Sequence, residues 1–323
     1  MKTFSFPLCA ATLLTLSMTA VAQTFPAKPI RMVVPFAPGG PADTLGRLVG
    51  QKLSAQLGQP VVVENRGGAG GTIGMEMASR LPADGYALAL SGASTLTVAP
   101  SMNSKLPYDP VKDFTPVINV AMVPYALAVN PVVPAKTVKE LIPIAAKKPG
   151  YLSYGSSGTG SMSSLAAELL KSMSGTDIVH VPYKGTAPAL TDVVGGHIDM
   201  MLADLAVIQP HANAGKLRVL GVTSSKRSAA AREVPTLAES GLPGYDISPW
   251  FGVVAPGGLP QELTMKLNAT MAAGLKSPEV AKRLAALGYE PIGSTPAQFG
   301  ATIKSDIAKY AKIVKAAGIK AEM

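Results

Sequence analysis

Pro29-Ile30-Arg31-Met32-Val33-Val34-Pro35-Phe36-Ala37-Pro38-Gly39-Gly40-Pro41-Ala42-Asp43 is the stretch from which the fold can be read. Ile30 to Pro35 is a β-branched run of strand length, and a glycine- and proline-rich loop follows it. Leu45, Leu48, Val49, Leu53 and Leu57 then recur at helical spacing and stop at Gly58, where a C-cap glycine belongs. Val61 to Glu64 is a second β-branched run, Thr72 to about Arg80 a second helix, and Tyr86 to Leu90 a third strand behind the turn Pro82-Ala83-Asp84-Gly85. Strand and helix alternate, which implies a mostly parallel sheet covered on both faces.

Further along, the pattern breaks and restarts. Val117 to Asn130 is extended and apolar with Pro124 inside it. Helices are expected over Val138 to Lys147, Ser161 to Ser174, Ala187 to Gly195 and up to Ala214. Strands are expected over Leu152 to Gly155, Ile178 to Val181, Asp199 to Ala203 and Arg218 to Thr223. A second extended segment, Ile247 to Val254, carries the single tryptophan, Trp250, and leads into helices over Glu262 to Leu275, Pro278 to Leu287 and Pro296 to Ala317. Two α/β units joined by two extended crossings describe a hinged, two-lobe protein. The division expected is a first lobe over 23–124, a second over 125–247, and a return to the first over 248–323.

Residues 1–22 read as a cleaved signal peptide. Lys2 gives the positive start, Leu8 to Met18 the apolar stretch, and Ala20-Val21-Ala22 the small-x-small cleavage pattern. Export to the periplasm is the expectation. Cys9, the only cysteine, lies inside that segment, so neither a disulfide framework nor a thiolate metal site is open to the mature chain. With 47% hydrophobic and 15% charged residues, stability must come from a buried core. The net charge of +9 is scattered and lacks an aromatic platform, which argues against nucleic acid and for a mild field favouring anionic solutes.

Strand-to-helix loops of such lobes meet at the cleft, so candidate ligand contacts follow from position. The first loop offers Phe36, Ala37, Gly39 and Gly40: glycines admit close backbone approach, and a helix start supplies free N–H groups. It reads equally as an ordinary tight turn, with Asp43 serving the helix start. The second, Tyr154-Gly155-Ser156-Ser157-Gly158-Thr159-Gly160-Ser161, occupies the same position in the other unit and offers Ser156, Ser157, Gly158 and Gly160. Ser91, Ser94 and Thr95 follow the third strand as a third contributor. Asp204 closes an apolar strand and would either accept a bond from the ligand or cap the following helix. The run Gly67-Gly68-Ala69-Gly70-Gly71-Thr72-Ile73-Gly74 lacks the acidic residue a dinucleotide site needs about 20 positions on, so no cofactor is expected and a structural loop near the lobe edge is.

An enzyme fits poorly. His180, His197 and His211 form no metal pair, and neither a nucleophile elbow nor a Walker lysine is present. The hydrolase alternative would use Ser157 with His180.

Several blocks together resemble one family. They are Val34-Pro35-Phe36-Ala37-Pro38-Gly39-Gly40, Val61-Val62-Val63-Glu64-Asn65-Arg66 with its glycine run, Asp84-Gly85-Tyr86, Tyr154-Gly155-Ser156, His180-Val181-Pro182-Tyr183-Lys184-Gly185, Ala214-Gly215-Lys216-Leu217-Arg218 and Trp250-Phe251-Gly252. The likeness is to the Bug, or TctC-like, receptors of tripartite tricarboxylate transporters, and it spans the mature chain. It implies a type II periplasmic-binding-protein-like α/β fold and a carboxylate held by the Ala37–Gly40 and Ser156–Gly160 loops. The ligand would be a mono-, di- or tricarboxylate, an acidic amino acid or an aromatic carboxylate. The partner would be the inner-membrane permease subunits, and the receptor is expected to act as a monomer. A sensor subunit that docks onto a signalling receptor stays open as an alternative. Ser164 departs from the family, whose members often carry histidine there.

Overall fold

The structure is a computed structural model that describes residues 25–316 and 318–319, so the signal-peptide reading lies outside the described residues. The chain opens with β1 (Ile30–Val34), α1 (Pro41–Leu57), β2 (Val61–Asn65), α2 (Thr72–Ser79) and β3 (Ala87–Gly92). A π-helical turn, Ser94–Val98, and the short α3 (Ala99–Met102) precede β4 (Phe114–Met122). The chain then crosses to β5 (Tyr125–Val129), α4 (Val138–Lys147), β6 (Ser153–Ser156), α5 (Met162–Ser174), β7 (Val179–Pro182), α6 (Thr186–Gly195), β8 (Met200–Asp204), α7 (Leu205–Asn213) and β9 (Arg218–Val222). It returns through β10 (Trp250–Pro256), α8 (Gln261–Leu275), α9 (Pro278–Ala286), β11 (Glu290–Pro291) and α10 (Pro296–Ala316).

These strands form two sheets, ordered β11-β4-β10-β3-β1-β2 and β7-β6-β8-β5-β9. In the first, β1 runs parallel to β2 and β3, while β10 is antiparallel to β3 and β4. In the second, β6 runs parallel to β7 and β8, while β5 is antiparallel to β8 and β9. Each sheet is mixed, with three parallel strands at one end; β1, paired on both sides, has Ile30, Met32, Val33 and Val34 fully buried. Helix α1 lies close on this sheet because Leu45, Val49 and Leu53 share its inner stripe. It stops where Gly58 turns left-handed (φ +70°) and donates its N–H to Ser54.

The extended stretch Val117–Asn130 is two strands in two sheets, broken at Val123-Pro124. Val123 N–H donates to the Pro249 carbonyl at 2.8 Å, so the two crossings touch. Helix α10 packs over that hinge. Trp250 stands edge-on to Phe299 (5.1 Å, 84°) and donates its indole N–H to Asp306, while Lys309 pairs with Asp246 at 2.6 Å. Tyr245 reaches the Ala166 carbonyl of α5 with its hydroxyl. One hydrophobic cluster therefore runs from Val33 and Ala89 in the first lobe to Leu127, Tyr154 and Leu165 in the second.

One expectation needs correction, and one element goes beyond the sequence reading. Ser91 and Gly92 belong to β3, and Ser94 and Thr95 to the π-helical turn, so this region is strand and helix rather than a loop after Leu90. Strand β11 is too short, and too mixed in character, to have been read as a strand. No helix among the described residues is long and apolar enough to cross a membrane.

Candidate functional site

The ends of β1, β3, β6 and β8 carry the predicted ligand residues. The first loop is held in shape by Asp43, whose carboxylate accepts the Gly39 N–H at 2.9 Å. The Arg47 guanidinium lies beside it, with Nε 3.1 Å from one oxygen and Nη2 3.0 Å from the other. Burial pushes the Asp43 carboxyl up, but hydrogen bonds from Arg47, Gly39 and Asn65 outweigh it and hold the group below the usual carboxylate range. Asp43 is therefore a first-turn residue serving the loop and the helix. It also uses up the Gly39 amide, so Gly39 contributes its left-handed backbone (φ +81°) rather than a donor. Gly40 is the N-cap of α1 and no side chain caps that helix. Pro41 at the first position has no N–H to satisfy. The amides of Gly40, Ala42 and Asp43 are what this helix start offers an anion.

The glycine run underpins that loop. Asn65 donates its amide to the Phe36 carbonyl at 3.1 Å, and Arg31 and Arg66 both bond Glu64 behind it. A Cβ on Gly67 would lie 3.3 Å from the Ala37 nitrogen. One on Gly71 would lie 2.6 Å from the Thr95 methyl, and one on Gly74 2.7 Å from Pro35 Cα. The run is the floor of the first ligand loop, a role its glycine content alone does not reveal.

The serine loop is tied by its own hydroxyls. Ser163 Oγ accepts the Ser157 N–H at 2.9 Å and lies 3.0 Å from Ser157 Oγ. Ser161 caps α5 by accepting from Ser164 N–H, and it donates its hydroxyl to the Gly158 carbonyl at 2.6 Å. Ser164, where relatives often have histidine, donates its hydroxyl to the Ser161 carbonyl at 2.9 Å. The side chain left at the surface of this loop is Thr159, which is exposed. Beside it are Gly158 and Gly160, both at positive φ. Thr159 belongs to the quoted loop but was not among the expected contacts; as the loop's one exposed hydroxyl, it stands out only in three dimensions. The pairing of Ser157 with His180 is not found: His180 Nε2 lies 2.7 Å from Ser156 Oγ instead.

Ser91 and Thr95 are fully buried and hydrogen-bonded to each other, while Ser94 is half-buried. Asp204 is 6% exposed and caps α7 by accepting the Ala206 N–H at 3.0 Å. It stands opposite Tyr125 in the β5–β8 ladder and faces the Tyr289 hydroxyl of the first lobe. Burial raises its carboxyl to about 7, against the pull of the Ala206 amide and Tyr289. The structure thus gives Asp204 a capping role at the seam between the lobes. The serine loop also lies against the first lobe: a Cβ on Gly160 would sit 3.4 Å from Met102 Cε of α3. Among the described residues no cluster of three or more His, Cys, Asp or Glu is placed to hold a metal.

The sequence matches the family profile described as the tripartite tricarboxylate transporter family receptor over residues 45–319. The chain belongs to that family. It is similar to the protein BugT of Bordetella pertussis, with 38% identity over 93% of this chain and 92% of BugT. Among solved structures it resembles R. palustris Rpa4515 with adipate (39% identity, TM-score 0.84, 92% of this chain and 99% of that one). It also resembles MatC from Rhodopseudomonas palustris with bound malate (33% identity, TM-score 0.80, 90% of this chain and 100% of that one). The family is one of transporter receptors, and solved structures similar to this chain include a periplasmic binding protein and a TctC solute binding protein.

Proposed function

We propose that the mature chain is a periplasmic receptor that closes its two lobes around a small organic carboxylate and presents it to the membrane subunits of a tripartite transporter. The observation that carries this reading is the pair of strand-to-helix loops, Phe36–Gly40 at β1 and Ser156–Gly160 at β6. They hold equivalent strand-to-helix positions in the two sheets, and Gly160 of the second lies against Met102 of the first lobe. In the first lobe the carboxylate would rest on the uncapped start of α1, at Gly40 and Ala42, with Phe36 and Ala37 alongside and Gly39 shaping the turn. In the second, Thr159 and the amides around Gly158 and Gly160 would complete the grip, with Ser156 and Ser157 behind them. Ser94 would line the floor, with Ser91 and Thr95 supporting it, while Asp204 would act from the hinge side.

Backbone donors suit this task. They stabilise a negative charge without burying a full positive one, whose desolvation is costly. Closure is driven only by the ligand's tighter binding to the closed form. Adipate and malate, bound by two relatives, set the ligand class to try first. Thermal unfolding of the mature protein against a panel of mono-, di- and tricarboxylates and acidic amino acids tests the reading. Ligand at 100 times its dissociation constant should add about 2.7 kcal/mol and raise the melting temperature visibly. A panel with no shift, repeated on protein stripped of host ligand by unfolding and refolding, would rule the carboxylate reading out.

A further inference from the structure

His180 and Ser156 are 24 residues apart and meet because β6 and β7 pair in parallel, with Tyr154 opposite His180. The imidazole is held in place: its ring stacks on Tyr154 with centroids 4.6 Å apart and planes 7° apart. Tyr154 is itself fixed, donating its hydroxyl to Glu168 at 2.6 Å, and Lys171 pairs with the same carboxylate at 3.0 Å. Ser156 is fully buried, and its Oγ has three neighbours. They are His180 Nε2 at 2.7 Å, the Gly158 N–H at 3.2 Å and the Gly158 carbonyl at 3.2 Å.

One hydroxyl proton cannot serve two acceptors. With the ring neutral and Nε2 bare, Ser156 donates to His180. With the ring charged, Nε2 must donate, and the Ser156 proton turns to the Gly158 carbonyl. That carbonyl already accepts the Ser161 hydroxyl at 2.6 Å and the Ser161 amide at 3.2 Å. The change therefore falls on the turn that carries Thr159 and Gly160. We propose that His180 is a positioning residue for the second-lobe ligand loop: through Ser156 it sets the hydrogen bonding of Gly158, and it couples capture of a carboxylate there to uptake of one proton.

The ligand half of this proposal rests on the function proposed above. Burial lowers the tendency of His180 to charge in the empty protein, with Lys171 adding to that and Glu168 opposing it. An anion seated on the loop favours the charged ring. Affinity should thus rise as pH falls, by at most about tenfold per pH unit for one proton.

The test begins without ligand, following the His180 ring and the backbone amides by NMR from pH 5 to 8. The ring midpoint is expected below 6.5, with the amides of Ser157 to Gly160 moving at that same midpoint and ceasing to do so in His180→Gln. Calorimetry with adipate and with L-malate at pH 5.5 and 7.5 follows, in two buffers of different ionisation enthalpy. Comparing wild type with His180→Gln cancels the ligand's own titration. Wild type should gain at least about threefold in affinity at the lower pH relative to the variant, and take up a proton that the variant does not. Amides that ignore the ring, or a variant that keeps the wild-type proton uptake, would overturn the proposal. If neither anion binds while the amides follow the ring, positioning is supported, and the ligand and its proton coupling are overturned together.

Discussion

Replacing Asp204 with asparagine removes a charge from the hinge while keeping the oxygen that caps α7 at the Ala206 amide. The carboxyl is 6% exposed and its pKa is raised from 3.8 to about 7, chiefly by burial. Below about pH 4 the group is neutral both folded and unfolded and contributes nothing. Between pH 4 and 7 the unfolded chain releases this proton while the folded one keeps it, so stability falls as pH rises. Above pH 7 both states are ionised and the folded state bears the whole penalty. At about 1.4 kcal/mol for each pH unit between those two values, the ceiling is about 4 kcal/mol. Urea unfolding at pH 4, 6 and 8 reads this directly as the difference between variant and wild type. Asp204→Asn should match wild type at pH 4 and be more stable by about 2–4 kcal/mol at pH 8. A difference that does not change with pH would refute the argument that Asp204 is held neutral by burial.

Two further substitutions test the loops. Thr159→Val should cost about tenfold or more in carboxylate affinity, the value of a lost hydrogen bond to a charged group. Because Thr159 is exposed, its unfolding free energy should stay within about 0.5 kcal/mol of wild type; unchanged affinity would remove Thr159 from the grip. Gly74→Ala should destabilise by about 1–3 kcal/mol and weaken binding as well, since the added methyl meets Pro35 directly behind the first loop. A variant as stable as wild type would show that the glycine run is not the floor described above.

Much of this was legible because local rules and tertiary needs agree. The β-branched run Ile30–Pro35 and the leucine spacing up to Gly58 gave strand, helix and end point, since burial of a parallel sheet and one helix stripe demands those residues. The positions of the two strand-to-helix loops were legible for the same reason, since each lies between a strand and a helix that the residue pattern marks. The allocation of hydrogen bonds inside those loops was not. Asp43 takes the Gly39 amide, and Ser163 takes the Ser157 amide, through contacts that composition does not distinguish from capping. Ser94–Val98 escaped because a five-residue turn that buries both hydroxyl and apolar side chains is too short to show a helical period. The pairs Ser156–His180 and Asp204–Tyr289 join residues 24 and 85 positions apart, and only strand pairing and lobe packing bring them together.

A crystal structure of the mature protein with the tightest carboxylate from the thermal panel tests the central claim most directly. The account predicts one ligand carboxylate within hydrogen-bond distance of the Gly40 and Ala42 amides, with Thr159 or Gly160 of the opposite lobe closing on the same molecule. A ligand bound outside that seam, or held by one lobe alone, would contradict it.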